Sequence, residues 1–308
     1  METLKNEIKN VIDSTDIGIS IYTLLKNNEI RKLDIESESL NDLKKMFIDY
    51  INSEIISDQD KSVLKISSAD ERGNVIYEYD LDLTESFNCF SSLDENVPLF
   101  NAKHDSVTDI DALIIEIGNN DKQILLYKNI APISIIRRKE FILGIKSNER
   151  FERLNQELLK ITPNFQFLKT KSNLYILELK ALERLFGFQE VIKREAVLGF
   201  DRIKNYSVLE NPEVLEELLE DISFARKLTK INKHSPIFRL NIPTSKIIDF
   251  CSNFPAVKGK IRFNANKDKI LLDTNISKTL FIKILLDEYL TSELTDLHYS
   301  TLAKDEIQ

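Results

Sequence analysis

Ala112-Leu113-Ile114-Ile115-Glu116-Ile117-Gly118-Asn119-Asn120-Asp121-Lys122-Gln123-Ile124-Leu125-Leu126-Tyr127 is the stretch that decides the fold class. An apolar run, a Gly-Asn-Asn-Asp turn and a returning apolar run make a β-hairpin. Upstream, Ile17, Ile19 and Ile21 alternate, Asn27-Asn28 turns the chain, and Ile30, Leu33 and Ile35 resume the pattern, so residues 17–36 read as a second hairpin. Ser39 is placed to cap a helix whose apolar face is Leu40, Leu43, Phe47, Ile48 and Ile51. Short strands are expected at 62–66 and 75–81 with Gly73-Asn74 as their turn, then a polar irregular stretch over 83–110. Further strands are expected near 133–137 and 141–145.

From about residue 150 the spacing of apolar residues becomes helical. Phe151, Leu154, Leu158 and Leu159 predict a short helix, Asn173 to Leu179 a strand, and 181–194 and 212–230 two longer helices. Asn211 would cap the second of these, with Pro212 at its first position and Arg226, Lys227 and Lys230 at its end, where the helix dipole favours cations. A short helix over 246–253, a hairpin pairing Gly259 to Phe263 with Lys269 to Leu272, and a last helix capped by Ser277 complete the chain. Its buried face would be Leu280, Phe281, Ile284, Leu285 and Tyr289. The fold class is α+β: a strand-rich acidic domain over 1–145 and a helix-rich domain over 146–308 that carries a basic segment, 226–286.

Charge is distributed very unevenly. The net charge is −8, yet residues 1–121 hold 26 acids and 11 bases, and residues 226–286 hold 13 bases and 3 acids. The first stretch is therefore −15 and the second +10, an asymmetry that speaks of partners: a polyanion for the basic part and something else for the acidic part. Hydrophobic content of 42% and charged content of 30% are those of a globular protein. No window approaches the roughly 18 apolar residues of a membrane span, and Met1 to Asn10 has no signal-peptide core, so a cytosolic location is expected. Cys89 and Cys251 lack CxxC spacing and read as buried thiols.

Motifs for chemistry are scarce. His104, His234 and His298 share no ligand spacing, and no phosphate-loop, dinucleotide or nucleophile-elbow motif occurs, so no catalytic residue, metal or cofactor is expected. The one catalytic alternative is a Mg²⁺-dependent nuclease built on Asp111 and Glu116 with Lys122 or Lys128, although Ile117-Gly118 follows Glu116 where an E-x-K pattern needs its lysine. The bland reading of the same residues is a buried hairpin with solvated charged ends.

The basic residues fall into three groups: Arg137, Arg138 and Lys139; Arg226, Lys227, Lys230 and Lys233; and Lys258, Lys260, Arg262, Lys267 and Lys269. Lysine and arginine bind phosphates without reading sequence and gain from counterion release. Each group by itself also reads as a solvated helix end or edge hairpin. Phe263 beside Lys260 and Arg262 is one aromatic and makes no stacking platform.

Three C-terminal stretches carry a resemblance: Phe238-Arg239-Leu240-Asn241-Ile242 with Ile247-Ile248-Asp249-Phe250; Lys260 to Asn264 with Lys269 to Asp273; and Leu280 to Thr295, running on to Tyr299 and Leu302-Ala303-Lys304. Together with Asp111 to Glu116, Lys128 to Ile130 and Lys180 to Phe188, this pattern over about residues 110–305 resembles the KwaB family, the soluble B components of the Kiwa anti-phage system. The resemblance implies a defence effector that binds double-stranded DNA and hinders phage DNA replication and late transcription. It further implies a partnership with a small membrane protein, KwaA, which would hold the chain peripheral to the inner membrane. Homo-oligomer formation is a separate expectation. The resemblance assigns no DNA contact to any residue, so the three basic groups rest on charge alone. The acidic N-terminal part would meet basic loops of the membrane partner or hold the DNA site off until activation. A pure scaffold docking its basic face on anionic lipid is the remaining alternative.

Overall fold

The computed structural model describes residues 1–15, 17–68, 74–93, 96–119, 122–136, 143–145, 151–153 and 157–301. The chain forms two compact units, Met1–Lys65 with Glu71–Gly187, and Ile66–Asp70 with Phe188–Gln308. The architecture is α+β, strand-rich in the first unit and helix-rich in the second. Residue 145, the expected domain edge, falls inside the first unit.

The first unit opens with α1 (Glu2–Ile12), a helix not among the expected elements, which buries Leu4, Ile8 and Val11. β1 (Gly18–Leu25), β2 (Ile30–Lys32), α2 (Ser37–Ile51), β3 (Ser62–Lys65), β4 (Val75–Glu78), β5 (Ile110–Gly118) and β6 (Gln123–Asn129) follow. Helix α2 begins before Ser39, which is not its cap. Then come β7 (Ile135–Ile136), β8 (Leu143–Ile145), β9 (Phe151–Arg153) and β10 (Leu158–Leu159), with β7 paired to β10 and β8 to β9; of the residues expected to form a helix, Phe151, Leu158 and Leu159 are in strands and Leu154 lies outside the described residues. β11 (Phe167–Lys169) and β12 (Leu174–Ile176) return to the main sheet, and α3 (Leu179–Leu185) ends the unit.

The main sheet runs β2-β1-β5-β6-β11-β12-β4-β3. All neighbours are antiparallel except β3 and β4, which are parallel. A tight turn cannot join parallel strands, so β3 and β4 form no hairpin, and Gly73 of the expected Gly73-Asn74 turn lies outside the described residues; after β3 the chain leaves the sheet at Ile66–Ser68, which groups with the second unit.

The central hairpin explains its own sequence. α1 and α2 cover one face, where Leu4, Ile8, Phe47 and Ile51 join Ile21, Leu113, Ile115, Ile117 and Leu126 in the core. The other face carries Tyr127 stacked on Phe167 at 5.2 Å, with the edge of Phe186 at 5.1 and 4.8 Å from them. A strand buried on both faces reads as a continuous apolar run, which is why β5 and β6 do not alternate. Gly118 has φ +135°, and a Cβ there would stand 2.1 Å from the Lys122 carbonyl oxygen, so only glycine closes this hairpin.

The second unit contains α4 (Phe188–Tyr206), α5 (Glu213–Glu216), α6 (Ile222–His234), α7 (Pro236–Arg239), α8 (Thr244–Asn253), β13 (Arg262–Phe263), β14 (Ile270–Leu271), α9 (Asn275–Leu285), β15 (Tyr289–Thr291) and β16 (His298–Ser300). The helix expected over 181–194 is two, α3 and α4, separated at Gly187, whose φ is +62°. The one expected over 212–230 is also two, because Asp221 caps α6 by accepting from the Ser223 and Phe224 amides. Asn211 caps neither; its side-chain amide makes a pair of 2.9 Å hydrogen bonds with the Leu272 backbone. At α9 the cap is Thr274, and Ser277 is its partner in a capping box. Tyr289 lies beyond that helix, in β15.

Helices α4 and α6 cross closely at Gly199, where a Cβ would lie 2.4 Å from the Leu228 carbonyl oxygen. Thr229 ties the crossing by donating to the Ile192 carbonyl at 3.2 Å. Among the described residues no helix is long and apolar enough to cross a membrane.

Candidate nucleic-acid interface

Helix α6 presents the first described basic group. Its cap at Asp221 fixes the start, and Ala225, Leu228, Thr229 and Ile231 form the buried stripe. Arg226, Lys230 and Lys233 recur at spacings of four and three, so they line up on one side of that stripe, with Lys227 beside them. Arg226 and Lys230 are half-buried and Lys227 and Lys233 exposed. Lys233 has a fold partner: its Nζ lies 3.1 Å from Oε2 of Glu195 on α4, whose side chain is only 4% exposed. That lysine neutralises a buried carboxylate, whereas Lys227 has no ion-pair partner among the described residues.

The second described group sits on the β13–β14 hairpin and the turn before it. β14 is pinned from behind by 2.9 Å hydrogen bonds from the Ile270 amide to the Val208 carbonyl and from the Glu210 amide to the Ile270 carbonyl. Asn264 builds the turn, its Oδ1 accepting from the Asp268 and Lys269 amides. Lys267 takes a left-handed φ of +59° at the tip. Lys258, Lys260, Arg262 and Lys267 are exposed and Lys269 half-buried. Arg262 Nη1 meets Asp273 Oδ2 at 2.9 Å, Lys269 Nζ meets Glu210 Oε2 at 3.7 Å, and Lys260 Nζ donates to the Ala256 carbonyl at 2.9 Å. Exposed pairs of this kind are worth about 0–1 kcal/mol, so a phosphate can displace the acid. Lys258 and Lys267 have no ion-pair partner among the described residues. Gly259 has φ +74°, and a Cβ there would meet nothing within 4 Å, so backbone torsion alone favours glycine at this turn.

Both groups belong to the second unit. Arg137, Arg138 and Lys139 lie outside the described residues. Charge grouping along the sequence does not pick out Arg202 on α4, which stacks over Phe238 at 4.8 Å and donates to the Asn232 carbonyl at 2.6 Å. Nor does it pick out Lys246 on α8, which is exposed. Membership of the +10 segment is the available signal for Lys246; the stacking of Arg202 depends on the fold and leaves none.

Of the residues of the nuclease alternative, the structure separates Glu116 from Lys128. Glu116 stands opposite Leu125, and Lys128 stands opposite Leu113, so Glu116 and Lys128 point to opposite faces of the sheet. Asp111 is an extra residue between the pairs Leu24↔Ala112 and Leu25↔Ile110. Glu116 accepts from the Tyr22 hydroxyl at 3.0 Å. Lys128 is buried and donates to Thr162 Oγ1 at 2.8 Å and to the Asn164 carbonyl at 2.8 Å, and burial lowers its pKa from the ordinary lysine value. Among the described residues no three His, Cys, Asp or Glu side chains are grouped to hold a metal ion.

His234 Nε2 lies 2.7 Å from Ser67 Oγ, and His298 Nδ1 lies 3.0 Å from Thr291 Oγ1. Cys89 and Cys251 are buried free thiols, each pushed up to about 12 by desolvation, which leaves them unreactive.

The sequence profile of the family described as "Kiwa protein KwaB-like" matches residues 107–295. A protein of Escherichia coli O55:H7 (strain RM12579 / EPEC), named Kiwa protein KwaB, is 32% identical over 312 residues, covering 99% of this chain and 98% of its own length. No solved structure matches. The profile runs from the start of the central hairpin through the basic helix, the basic hairpin and β15, and the relative extends the likeness to the acidic N-terminal region: the chain belongs to the KwaB family of Kiwa proteins.

Proposed function

We propose that the chain is an anti-phage defence effector that binds double-stranded DNA through phosphate contacts, without reading sequence. The defence role follows from membership of the Kiwa KwaB family. One observation carries the DNA reading: Lys227, Lys258 and Lys267 stand exposed in the second unit with no ion-pair partner among the described residues, and Arg262 and Lys269 are held only by exposed acids. Lysines left uncompensated in one segment of net charge +10 form a phosphate-binding surface by counterion release alone. Lys233 contributes to it indirectly, by fixing α6 against α4 through Glu195.

DNA held this way would obstruct replication and late transcription, the outcome implied by the family resemblance. The membrane partner KwaA would concentrate the effector at the inner membrane, and the acidic first unit is the natural surface for basic loops of such a partner. Homo-oligomer formation would multiply the phosphate contacts.

The test is a DNA titration across roughly 50 to 200 mM salt, over which affinity should fall steeply, on duplexes of equal length and unrelated sequence. A strong preference for one sequence, or affinity that does not change with salt, refutes the phosphate reading.

A further inference from the structure

β15 and β16 form a two-stranded sheet joined through a turn in which Asp296 takes a left-handed φ of +58°. One face of this hairpin is anchored: Tyr289 and His298 pack on Phe254, at 5.3 and 4.8 Å between ring centres. The other face is bare. Leu290 stands opposite Tyr299, and Leu297 shares the face two residues before Tyr299. These three side chains are 40%, 50% and 57% exposed, and Leu294 in the turn is 92% exposed. The outer edge of β16 is bare as well. The Ser292 amide donates to the Leu297 carbonyl and the Thr301 amide to the Glu288 carbonyl, both at 2.9 Å. Hydrogen-bonded pairs therefore fall on alternate residues, and the His298 and Ser300 amides point away from β15. Among the described residues no third strand meets them. Exposed edges are ordinarily guarded by lysine, proline or a bulge, and His298-Tyr299-Ser300 has none of these.

We propose that β16 takes up an extended segment of a partner protein as a third strand, with apolar side chains laid against Leu297 and Tyr299 and lysines or arginines beside Glu293 and Asp296. The backbone pairing follows from the open edge, because strand addition draws affinity from main-chain hydrogen bonds and specificity from alternate side chains. The partner's charge follows from that of the hairpin. Residues 287–301 hold Asp287, Glu288, Glu293 and Asp296 and no lysine or arginine. Two lysines from other elements stand at the root of the hairpin. Lys283 of α9 donates to Ser300 Oγ at 3.3 Å, and Lys246 of α8 lines a cavity beside Tyr289 together with Asp287. The tip is purely acidic: Glu293 and Asp296 are exposed there with no ion-pair partner among the described residues. Acids that attract a cationic strand repel DNA and an anionic bilayer alike, so neither of those fits this face. The site does not depend on whether the chain binds DNA.

The experiment selects octapeptides from a displayed random library on the full chain, with Ser300→Pro and Leu297→Lys as counter-targets. Proline removes an outward amide and no bond of the hairpin, and Leu297 is exposed, so both variants should melt like the parent. If Ser300→Pro melts lower, Leu297→Lys carries the comparison. Selected peptides should alternate apolar residues with lysine or arginine. Synthetic copies read by fluorescence anisotropy should lose roughly tenfold or more in affinity on either variant, and as much when the peptide backbone is N-methylated. Their affinity should fall with salt on the parent and much less on the double variant Glu293→Gln with Asp296→Asn. DNA titration of Ser300→Pro should match the parent, which separates this site from the phosphate surface. Failure to select any peptide, peptides without bases, or equal binding to parent and variants overturns the proposal. So does an oligomer that dissociates in Leu297→Lys, which makes the edge an interface between copies. A gain in peptide affinity on removal of residues 302–308 makes the chain's own tail the third strand, and binding to phosphatidylglycerol vesicles that is lost in Leu294→Ser makes the face a lipid site; either result also overturns it.

Discussion

Replacing Lys233 should damage the fold before it affects DNA. Its ammonium lies 3.1 Å from a Glu195 carboxylate that is 4% exposed, while the lysine side chain itself is 37% exposed. At that separation the attraction is about 5 kcal/mol at an effective dielectric of 20 and about 1 kcal/mol in bulk water. The pair sits between these limits, because one partner is buried and the other reaches solvent. Removing the lysine leaves a buried carboxylate whose neighbouring donor is the Asn232 side-chain amide, 3.4 Å away. Stranding a fully buried charge costs about 3–5 kcal/mol, and partial solvent access brings the expectation for Lys233→Met to about 2–3 kcal/mol. Changing Glu195→Gln as well removes the stranded charge, so the double variant should recover to within about 1 kcal/mol of the parent, which a double-mutant cycle isolates. Urea unfolding at constant m measures all four proteins; with m near 2 kcal/mol/M the single variant's midpoint should fall by about 1 M or more. If Lys233→Met unfolds within about 0.5 kcal/mol of the parent, or the double variant is no better than the single, the buried-partner argument is wrong.

Other outcomes follow from the same structure. Changing Lys258, Lys260 and Arg262 together to Glu should shallow the salt dependence of DNA binding by about one unit per lost phosphate contact, while Lys9→Glu in the acidic region leaves the slope unchanged. Incubation of linear and supercoiled DNA with Mg²⁺ or Mn²⁺ should produce no cutting; cleavage abolished by Asp111→Ala or Glu116→Ala would reinstate the nuclease. Gly199→Ala should cost about 1–2 kcal/mol in urea unfolding, because overlap with the Leu228 carbonyl outweighs the gain of roughly 1 kcal/mol in helix propensity. Burial lowers the Lys128 pKa below 10.5, so the folded chain binds fewer protons than the unfolded one between the folded and unfolded pKa values. Stability should therefore rise as pH climbs through that window, and Lys128→Met, measured by urea midpoints from neutral to alkaline pH, should remove the rise.

Much of the fold is legible wherever local chemistry is decisive. The hairpin at 112–127 declares itself because Gly118 alone tolerates its backbone, and because burial on both faces demands unbroken apolar runs. Periodicity marks α2, α6, α8 and α9, since each buries one stripe. The same signal is present, though weaker for being so short, in the unexpected α1, where Leu4, Ile8 and Val11 recur at spacings of four and three between charged residues. Ends of helices are less legible. Asn211 and Ser277 have the right chemistry for caps, but a side chain serves whichever backbone group the fold brings near it: for Asn211 this is Leu272, far along the chain.

By itself the sequence determined the α+β class, the central hairpin, the burial of both cysteines, the family and the segregation of charge, since these depend on composition, short-range spacing or an extended residue pattern. Only the tertiary structure decided that β3 and β4 are parallel, that Glu116 and Lys128 are on opposite faces, and that Lys233 belongs to Glu195 while Lys227 stands without an ion-pair partner among the described residues. The physical reason is shared by all three. Strand direction, sheet face and ion pairing are relations between residues distant in sequence, and two lysines of one helix become different in kind only when another helix brings a carboxylate to one of them.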